Sequence, residues 1–263
     1  MRRLLATLAV LGLASGCSTN TGQAASQGST PLPTASATAA SGPQLHLVAI
    51  GDSIAASTLC TCTRYPELYG NLASEALGEA VLVQNLAKSG TTSFDWLDSV
   101  DSSRELQTRL KEADIITITI GINDLGPCGS EMDRVCYGKA MGQLKTNLET
   151  LLSKIDSLQG SHPHILRQTA YYNLVIGSSS AARLGSSYLD FYAGQLNTLN
   201  ATICGAVVAH NGQCVELLTA FNGPAGDEDA ADLLVSDHVH PSRTGMEIIA
   251  RQIDAKGYAP LQP

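Results

Sequence analysis

Short apolar runs alternate with longer segments of helical periodicity along residues 44–263. The periodicity predicts strands at 45–50, 80–86, 114–120, 165–171 and 214–218. It predicts helices at 65–77, 94–100, 104–113, 140–158, 188–210 and 242–255. Strands that alternate with helices favour a mostly parallel sheet, because each crossover helix returns the chain to the same edge. The sequence therefore predicts an α/β fold, a three-layer α/β/α sandwich with a mostly parallel central sheet.

Short polar motifs follow the first three predicted strands. Ser53 lies in the motif GDSI at 51–54, Gly90 in the pair SG at 89–90, and Asn123 in the motif GIND at 121–124. The carboxyl ends of parallel strands meet at one edge of a sheet, where such folds place their sites. We therefore expect Ser53, Gly90 and Asn123 to lie close together.

A fourth motif, DHVHP at 237–241, supplies the groups that a serine nucleophile needs. A serine hydroxyl is a poor nucleophile unless a histidine takes its proton and a carboxylate orients that histidine. Asp237 and His240 are three residues apart, so a turn can bring the carboxylate to Nδ1 while Nε2 faces Ser53. We predict a triad of Ser53, His240 and Asp237. Asp52 is expected to shape the serine turn. Pro241 restricts His240 to extended geometry and is well placed to lead into the closing helix predicted from Ser242.

Attack of a serine on an ester creates an oxyanion, which needs hydrogen-bond donors already aimed at it. One such donor is worth about 2.7–4 kcal/mol. The predicted donors are the backbone N–H groups of Ser53 and Gly90 and the side-chain amide of Asn123. A glycine at position 90 allows dihedral angles that other residues avoid.

These motifs, in this order, resemble the SGNH, or GDSL, hydrolase family, whose four block residues match Ser53, Gly90, Asn123 and His240. The resemblance implies a flavodoxin-like fold and an esterase or lipase that forms an acyl-enzyme without metal or cofactor. Its substrates would be lipid, short-acyl or O-acetyl esters. The motif GDSIA lacks the closing glycine of G-x-S-x-G, which disfavours a standard α/β-hydrolase.

Two other interpretations remain. His238, His240 and Asp237 could bind zinc, although no further ligand is spaced to complete the set. The chain could also be a catalytically inactive surface lipoprotein that binds an acyl or glycan ligand. The presence of serine, asparagine, aspartate and histidine together counts against a pure binder.

The N-terminus has the order of an export signal. Residues 1–16 carry two arginines, an apolar run too short to span a bilayer and small residues before Cys17. This resembles a bacterial lipobox in which Cys17 is lipidated, but Ala14 stands where most lipoboxes have leucine, so ordinary cleavage and secretion remain the alternative. Residues 17–43 are predicted to be a disordered tether, and 44–263 to be the hydrolase domain. The protein is expected on the outer face of the membrane, held by the lipid anchor alone, or secreted.

The negative net charge of the chain limits the kinds of molecule that it can bind. The formal net charge is −8, and loss of residues 1–16, which carry two arginines and no acidic residue, would change it to −10. An acidic chain is poorly suited to nucleic acid. We expect a monomer whose partner is a small-molecule or lipid ester.

The sequence has seven cysteines, so lipidation of Cys17 would leave six in an exported chain. An even number outside the cytosol indicates disulfides. Spacing favours the pairs Cys128–Cys136 and Cys204–Cys214. Cys60 and Cys62 could pair with each other, cross-pair or remain thiols, because a bridge across one residue is geometrically demanding.

Overall fold

The computed structural model describes residues 44–56 and 59–262. The predicted signal peptide at 1–16, the lipidation site Cys17 and the tether at 17–43 lie outside the described residues. Among the described residues, no helix is long and apolar enough to cross a membrane.

The described strands form one parallel sheet in the order β2-β1-β3-β4-β5. The strands are β1 (Gln44–Gly51), β2 (Ala80–Asn85), β3 (Ile115–Thr119), β4 (Ile165–Thr169) and β5 (Gln213–Val215). All of β3 is buried, as is β1 from Leu47 onward. Continuous apolar runs of this kind are typical of parallel strands that are covered on both faces.

The α-helices among the described residues are α1 (Ser53–Ala56), α2 (Tyr65–Leu77), α3 (Ser93–Ser102), α4 (Arg104–Lys111), α5 (Arg134–Gln159), α6 (Ser179–Leu184), α7 (Ser186–Ala209), α8 (Leu218–Asn222) and α9 (Arg243–Asp254). The same residues also form 3₁₀ helices at Ile122–Cys128 and Ala231–Leu233. Helix α2 packs against α9, whereas α5 packs against α3, α4 and α7. The helices thus lie on both sides of the sheet, which confirms the predicted three-layer α/β/α fold.

The predicted elements all exist, but some bounds were wrong. Helix α5 begins six residues before its predicted start because Asp133 caps it, accepting hydrogen bonds from the N–H groups of Val135 and Cys136. The predicted strand at 214–218 was too long, since β5 ends at Val215 and Leu218 begins α8.

The closing helix, predicted at 242–255, starts one residue later than expected. Helix α9 begins at Arg243, and the side chain of Ser242 caps it by accepting from the N–H of Gly245. Pro241 forms an antiparallel bridge with Leu234.

In the described part of the chain, three disulfides join cysteines that are close in sequence. Cys128–Cys136 and Cys204–Cys214 pair as the spacing favours, and Cys60 pairs with Cys62. The intervening Thr61 has a φ of 44°, a left-handed conformation that turns the chain between the two sulfur atoms. Cys128–Cys136 joins the first 3₁₀ helix to the start of α5, and Cys204–Cys214 joins α7 to β5.

Candidate active site

The serine turn leaves the sheet where β1 meets β3. Gly51 ends β1 with a φ of 150°, and a Cβ atom there would lie 2.3 Å from the carbonyl oxygen of Thr119. The N–H of Asp52 donates to that same oxygen at 2.8 Å. Only glycine permits this close approach, so Gly51 places Ser53 at the carboxyl edge of the sheet, at the start of α1.

Asp52 is fully buried below the turn. Its Oδ1 accepts the N–H of Ile54 at 2.9 Å, which closes the turn around Ser53, and its Oδ2 accepts the hydroxyl of Tyr171. Burial raises the pKa of Asp52 to about 6, against the opposing effects of these two hydrogen bonds and of the nearby His240. The carboxyl group of Asp52 therefore has internal partners, in keeping with the structural role predicted for it.

The loop that carries Gly90 is attached to the end of β1. The carbonyl oxygen of Gly51 accepts hydrogen bonds from the N–H of Lys88 at 2.9 Å, the hydroxyl of Thr91 at 2.9 Å and the indole of Trp96 at 3.1 Å. Gly90 has a φ of 79°, in the left-handed region that glycine favours. The loop is thereby held beside the serine turn.

Asn123 lies in the 3₁₀ helix that follows β3. Its Nδ2 donates to the carbonyl oxygen of Thr91 at 2.9 Å, which links this helix to the Gly90 loop. A primary amide has two N–H donors, so one bond to Thr91 leaves a second for a ligand. The neighbouring Asp124 strengthens the link, since its carboxylate accepts both the N–H and the hydroxyl of Ser93 at the start of α3.

Hydrogen bonds that join Asp237 to Val239 and His240 hold residues 237–240 in a tight loop. Oδ2 of Asp237 lies 2.6 Å from Nδ1 of His240, while Oδ1 accepts the N–H groups of Val239 at 2.8 Å and His240 at 2.9 Å. Burial alone would raise the pKa of Asp237, but these hydrogen bonds and the charge of His240 outweigh it, so that the pKa lies below its usual range. Asp237 is therefore ionised at neutral pH.

The histidine loop lies close to the serine turn, because the adjacent Tyr171 and Tyr172 donate hydrogen bonds to Asp52 and to the carbonyl oxygen of Val239, respectively. His240 acts on Asp52, the residue before Ser53, through a Coulombic attraction that lowers the pKa of the Asp52 carboxyl. The predicted residues therefore gather in two linked groups at one edge of the sheet: the Ser53, Gly90 and Asn123 segments, and the Asp237–His240 pair.

The sequence alone assigned no role to Tyr171 and Tyr172, which lie just after β4. Both are buried; the hydroxyl of Tyr171 donates to Asp52, and that of Tyr172 donates to the carbonyl oxygen of Val239 at 2.5 Å. The available signal was their place at the carboxyl end of a predicted strand.

A zinc site would need at least three histidine, cysteine or acidic side chains close together. In the described part of the chain, no such group is placed to hold a metal ion. Nδ1 of His240 is already bonded to Asp237.

Residues 49–248 match the GDSL-like lipase/acylhydrolase family. This span covers most of the chain, so the protein belongs to this family of hydrolases. The spore germination lipase LipC of Bacillus licheniformis is 24% identical over 226 residues, which cover 83% of this chain and 99% of that relative.

Solved structures share the fold. The lipase Lip_vut3 from a goat rumen metagenome has a TM-score of 0.70 at 23% identity, covering 83% of this chain and 100% of its own. An extracellular lipase from Streptomyces rimosus has a TM-score of 0.59 at 19% identity, covering 80% and 99%. A catalytic mutant of the acetylxylan esterase Axe2 from Geobacillus stearothermophilus has a TM-score of 0.60 at 19% identity, covering 83% and 96%.

Proposed function

We propose that this protein is a serine carboxylic ester hydrolase with a triad of Ser53, His240 and Asp237. The observation that carries the proposal is the 2.6 Å contact between an ionised Asp237 and Nδ1 of His240. The adjacent Tyr171 and Tyr172 connect this loop to the serine turn. A carboxylate at Nδ1 fixes the tautomer that leaves Nε2 free to accept a proton.

In the first half-reaction, Nε2 of His240 takes the hydroxyl proton of Ser53 as Oγ attacks the ester carbonyl carbon. The negative charge that moves onto the carbonyl oxygen is met by the N–H groups of Ser53 and Gly90 and by the second amide hydrogen of Asn123. The tetrahedral species collapses, the bond to the alcohol oxygen breaks, and His240 returns its proton to that oxygen.

In the second half-reaction, His240 removes a proton from water, which attacks the acyl-enzyme. The same three donors stabilise the second oxyanion. Breakage of the bond to Oγ releases the carboxylic acid, and His240 reprotonates Ser53. Asp237 stays ionised throughout and stabilises the imidazolium that forms in both steps.

The relatives support a serine mechanism and a range of esters. Two of the similar structures are catalytic mutants of an acetylxylan esterase in which a serine or a histidine is replaced by alanine. Other relatives are lipases. We propose lipid, short-acyl or O-acetyl esters as the substrate class of this chain.

We also propose that the chain is exported, with residues 1–16 removed, Cys17 lipidated and residues 17–43 tethering the hydrolase domain to the outer face of the membrane. The three disulfides support export, since disulfides persist outside the reducing cytosol. Metabolic labelling with an alkyne fatty acid tests this. Label that is retained in Cys17→Ser, or a wild-type protein that stays unlabelled, would contradict lipidation.

The first test of the mechanism is hydrolysis of p-nitrophenyl esters from acetate to palmitate by the purified protein, beside Ser53→Ala and His240→Ala. Both variants should lose activity, and Ser53→Ala should lose labelling by a fluorophosphonate. Ser187→Ala, at an exposed serine on α7, is the matched control and should remain active. A wild-type protein with neither hydrolysis nor labelling would favour the inactive ligand-binding lipoprotein.

A further inference from the structure

Two adjacent tyrosines at the carboxyl end of β4 contact both halves of the candidate site. The hydroxyl of Tyr171 donates to the carboxylate of Asp52, which directly precedes Ser53. The hydroxyl of Tyr172 donates to the carbonyl oxygen of Val239, which directly precedes His240, at 2.5 Å. One dipeptide therefore holds the residue before the proposed nucleophile and the residue before the proposed base.

The backbone of Tyr171 is itself held firmly. Its N–H donates to Oδ1 of Asn200 on α7 at 2.9 Å, and its carbonyl oxygen accepts Nδ2 of the same side chain at 2.8 Å. These two hydrogen bonds to a long helix fix the position of the Tyr171 backbone relative to α7. A hydroxyl carried by so constrained a residue has little freedom to follow a moving partner.

Tyr172 is fixed by its ring. The ring stacks on Phe221 with centroids 4.1 Å apart and planes 8° apart, and the side chain is fully buried. Burial raises the pKa of both phenols well above the usual range, so that both hydroxyls are protonated donors at neutral pH. The dipeptide is therefore a rigid pair of donors.

We propose that Tyr171 and Tyr172 are positioning residues that set the distance between the serine turn and the histidine loop. This inference rests on the proposed roles of Ser53 and His240. Neither tyrosine needs to touch the substrate. A displacement of about 1 Å in a catalytic group can cost on the order of 10²-fold in rate, so loss of either hydrogen bond should slow the chemical steps more than it weakens binding.

Tyr171→Phe and Tyr172→Phe remove only the hydroxyls and keep the rings. We expect each variant to lower kcat for p-nitrophenyl acetate about tenfold to 10²-fold, with KM within about twofold, and to slow fluorophosphonate labelling in parallel. The matched control is Tyr258→Phe, which loses a buried tyrosine hydroxyl bonded to Asp254 at 2.6 Å outside the candidate site. It should change kcat by less than about twofold.

The positioning role and the proposed function can be contradicted by different results. Folded Tyr→Phe variants at positions 171 and 172 that keep wild-type kcat and labelling rates would overturn the positioning role, while an active Ser53→Ala would instead overturn the proposed function. If Tyr172→Phe fails to fold, Phe221→Leu removes the ring on which Tyr172 stacks. A selective loss of kcat in that variant supports the inference, and an unchanged kcat contradicts it.

Discussion

Asp237 holds His240 by two bonds at once. One carboxylate oxygen lies 2.6 Å from the imidazole Nδ1, and the other accepts the backbone N–H of the same histidine at 2.9 Å. The first bond sets the orientation of the ring and the second sets the course of the chain that carries it. The imidazole is therefore oriented before any substrate binds. A group that is already oriented needs no reorganisation during the reaction, and this lowers the barrier.

Asp237→Asn tests this arrangement. The amide keeps the size of the carboxylate but removes the charge that stabilises an imidazolium, and it allows the wrong tautomer. We expect kcat to fall on the order of 10²- to 10⁴-fold, with KM little changed. Steady-state hydrolysis of p-nitrophenyl acetate measures both constants.

Asp227→Asn serves as the control for this charge loss, because Asp227 is an exposed acid in the segment before the 3₁₀ helix Ala231–Leu233. It should leave kcat unchanged. Equal rates in Asp237→Asn and wild type would exclude Asp237 from the triad.

Gly90→Ala should lower both activity and stability. A Cβ atom at this position meets nothing within 4 Å, so the penalty comes from the backbone, whose φ of 79° costs a non-glycine residue roughly 1–2 kcal/mol. Relaxation of the loop would move the N–H donor of Gly90, and we expect a loss of kcat of up to about 10²-fold. Urea denaturation and ester hydrolysis measure the two effects.

The comparison is Gly138→Ala within α5, where an added Cβ also meets nothing within 4 Å. Alanine suits a helix interior better than glycine, so stability should rise by up to about 1 kcal/mol with no change in activity. A stable, fully active Gly90→Ala would show that this loop does not need its left-handed glycine.

Asp52 should make stability depend on pH in an unusual direction. Its pKa is about 6 in the folded protein against an ordinary value of 3.8, so between these pH values the folded state binds a proton that the unfolded state does not. The free energy of unfolding should therefore gain a contribution on the order of 2–3 kcal/mol as the pH falls from about 7 to about 4, and lose it as the pH rises through 6.

Asp52→Asn removes this contribution, so urea denaturation from pH 4 to pH 7 should show a smaller gain on acidification than in wild type. Asp237 has a lowered pKa and acts in the opposite direction, but it is present in both proteins and cancels in the comparison. Asp98→Asn, at an exposed residue of α3, should behave like wild type. Parallel curves for wild type and Asp52→Asn would refute the prediction.

Removal of the Cys204–Cys214 disulfide should cost stability without much loss of activity. The bridge spans a sequence separation of 10, for which loop-closure entropy predicts about 2–3 kcal/mol. Cys204→Ser with Cys214→Ser should lower the urea midpoint accordingly and keep most of the kcat at temperatures where the variant is folded.

The corresponding double serine variant at Cys128 and Cys136 spans a similar separation of 8. It frees the 3₁₀ helix that carries Asn123, so it should lose kcat as well as stability. If both double variants lose activity equally, the Cys128–Cys136 bridge has no special connection to the site.

Periodicity predicted the layers of the fold because long segments repeat their pattern many times. Helix α2 occupies the residues that its apolar spacing indicates, 65–77, and the uninterrupted apolar residues of β3 are those of a strand covered on both faces. Helices α1, α6 and α8 were missed, since four to six residues are too few to establish a helical period.

Some features of the candidate site could also be predicted from the sequence, whereas others could not. The sequence by itself determined the local motifs: a glycine able to adopt positive φ, an amide donor after β3, and an aspartate close enough to its histidine for one turn to join them. Only the tertiary structure decided the hydrogen-bond partners of Tyr171 and Tyr172. Their hydroxyls bind partners 119 and 67 residues away, and which group a buried hydroxyl meets is determined by the packing of the whole sheet rather than by neighbours along the chain.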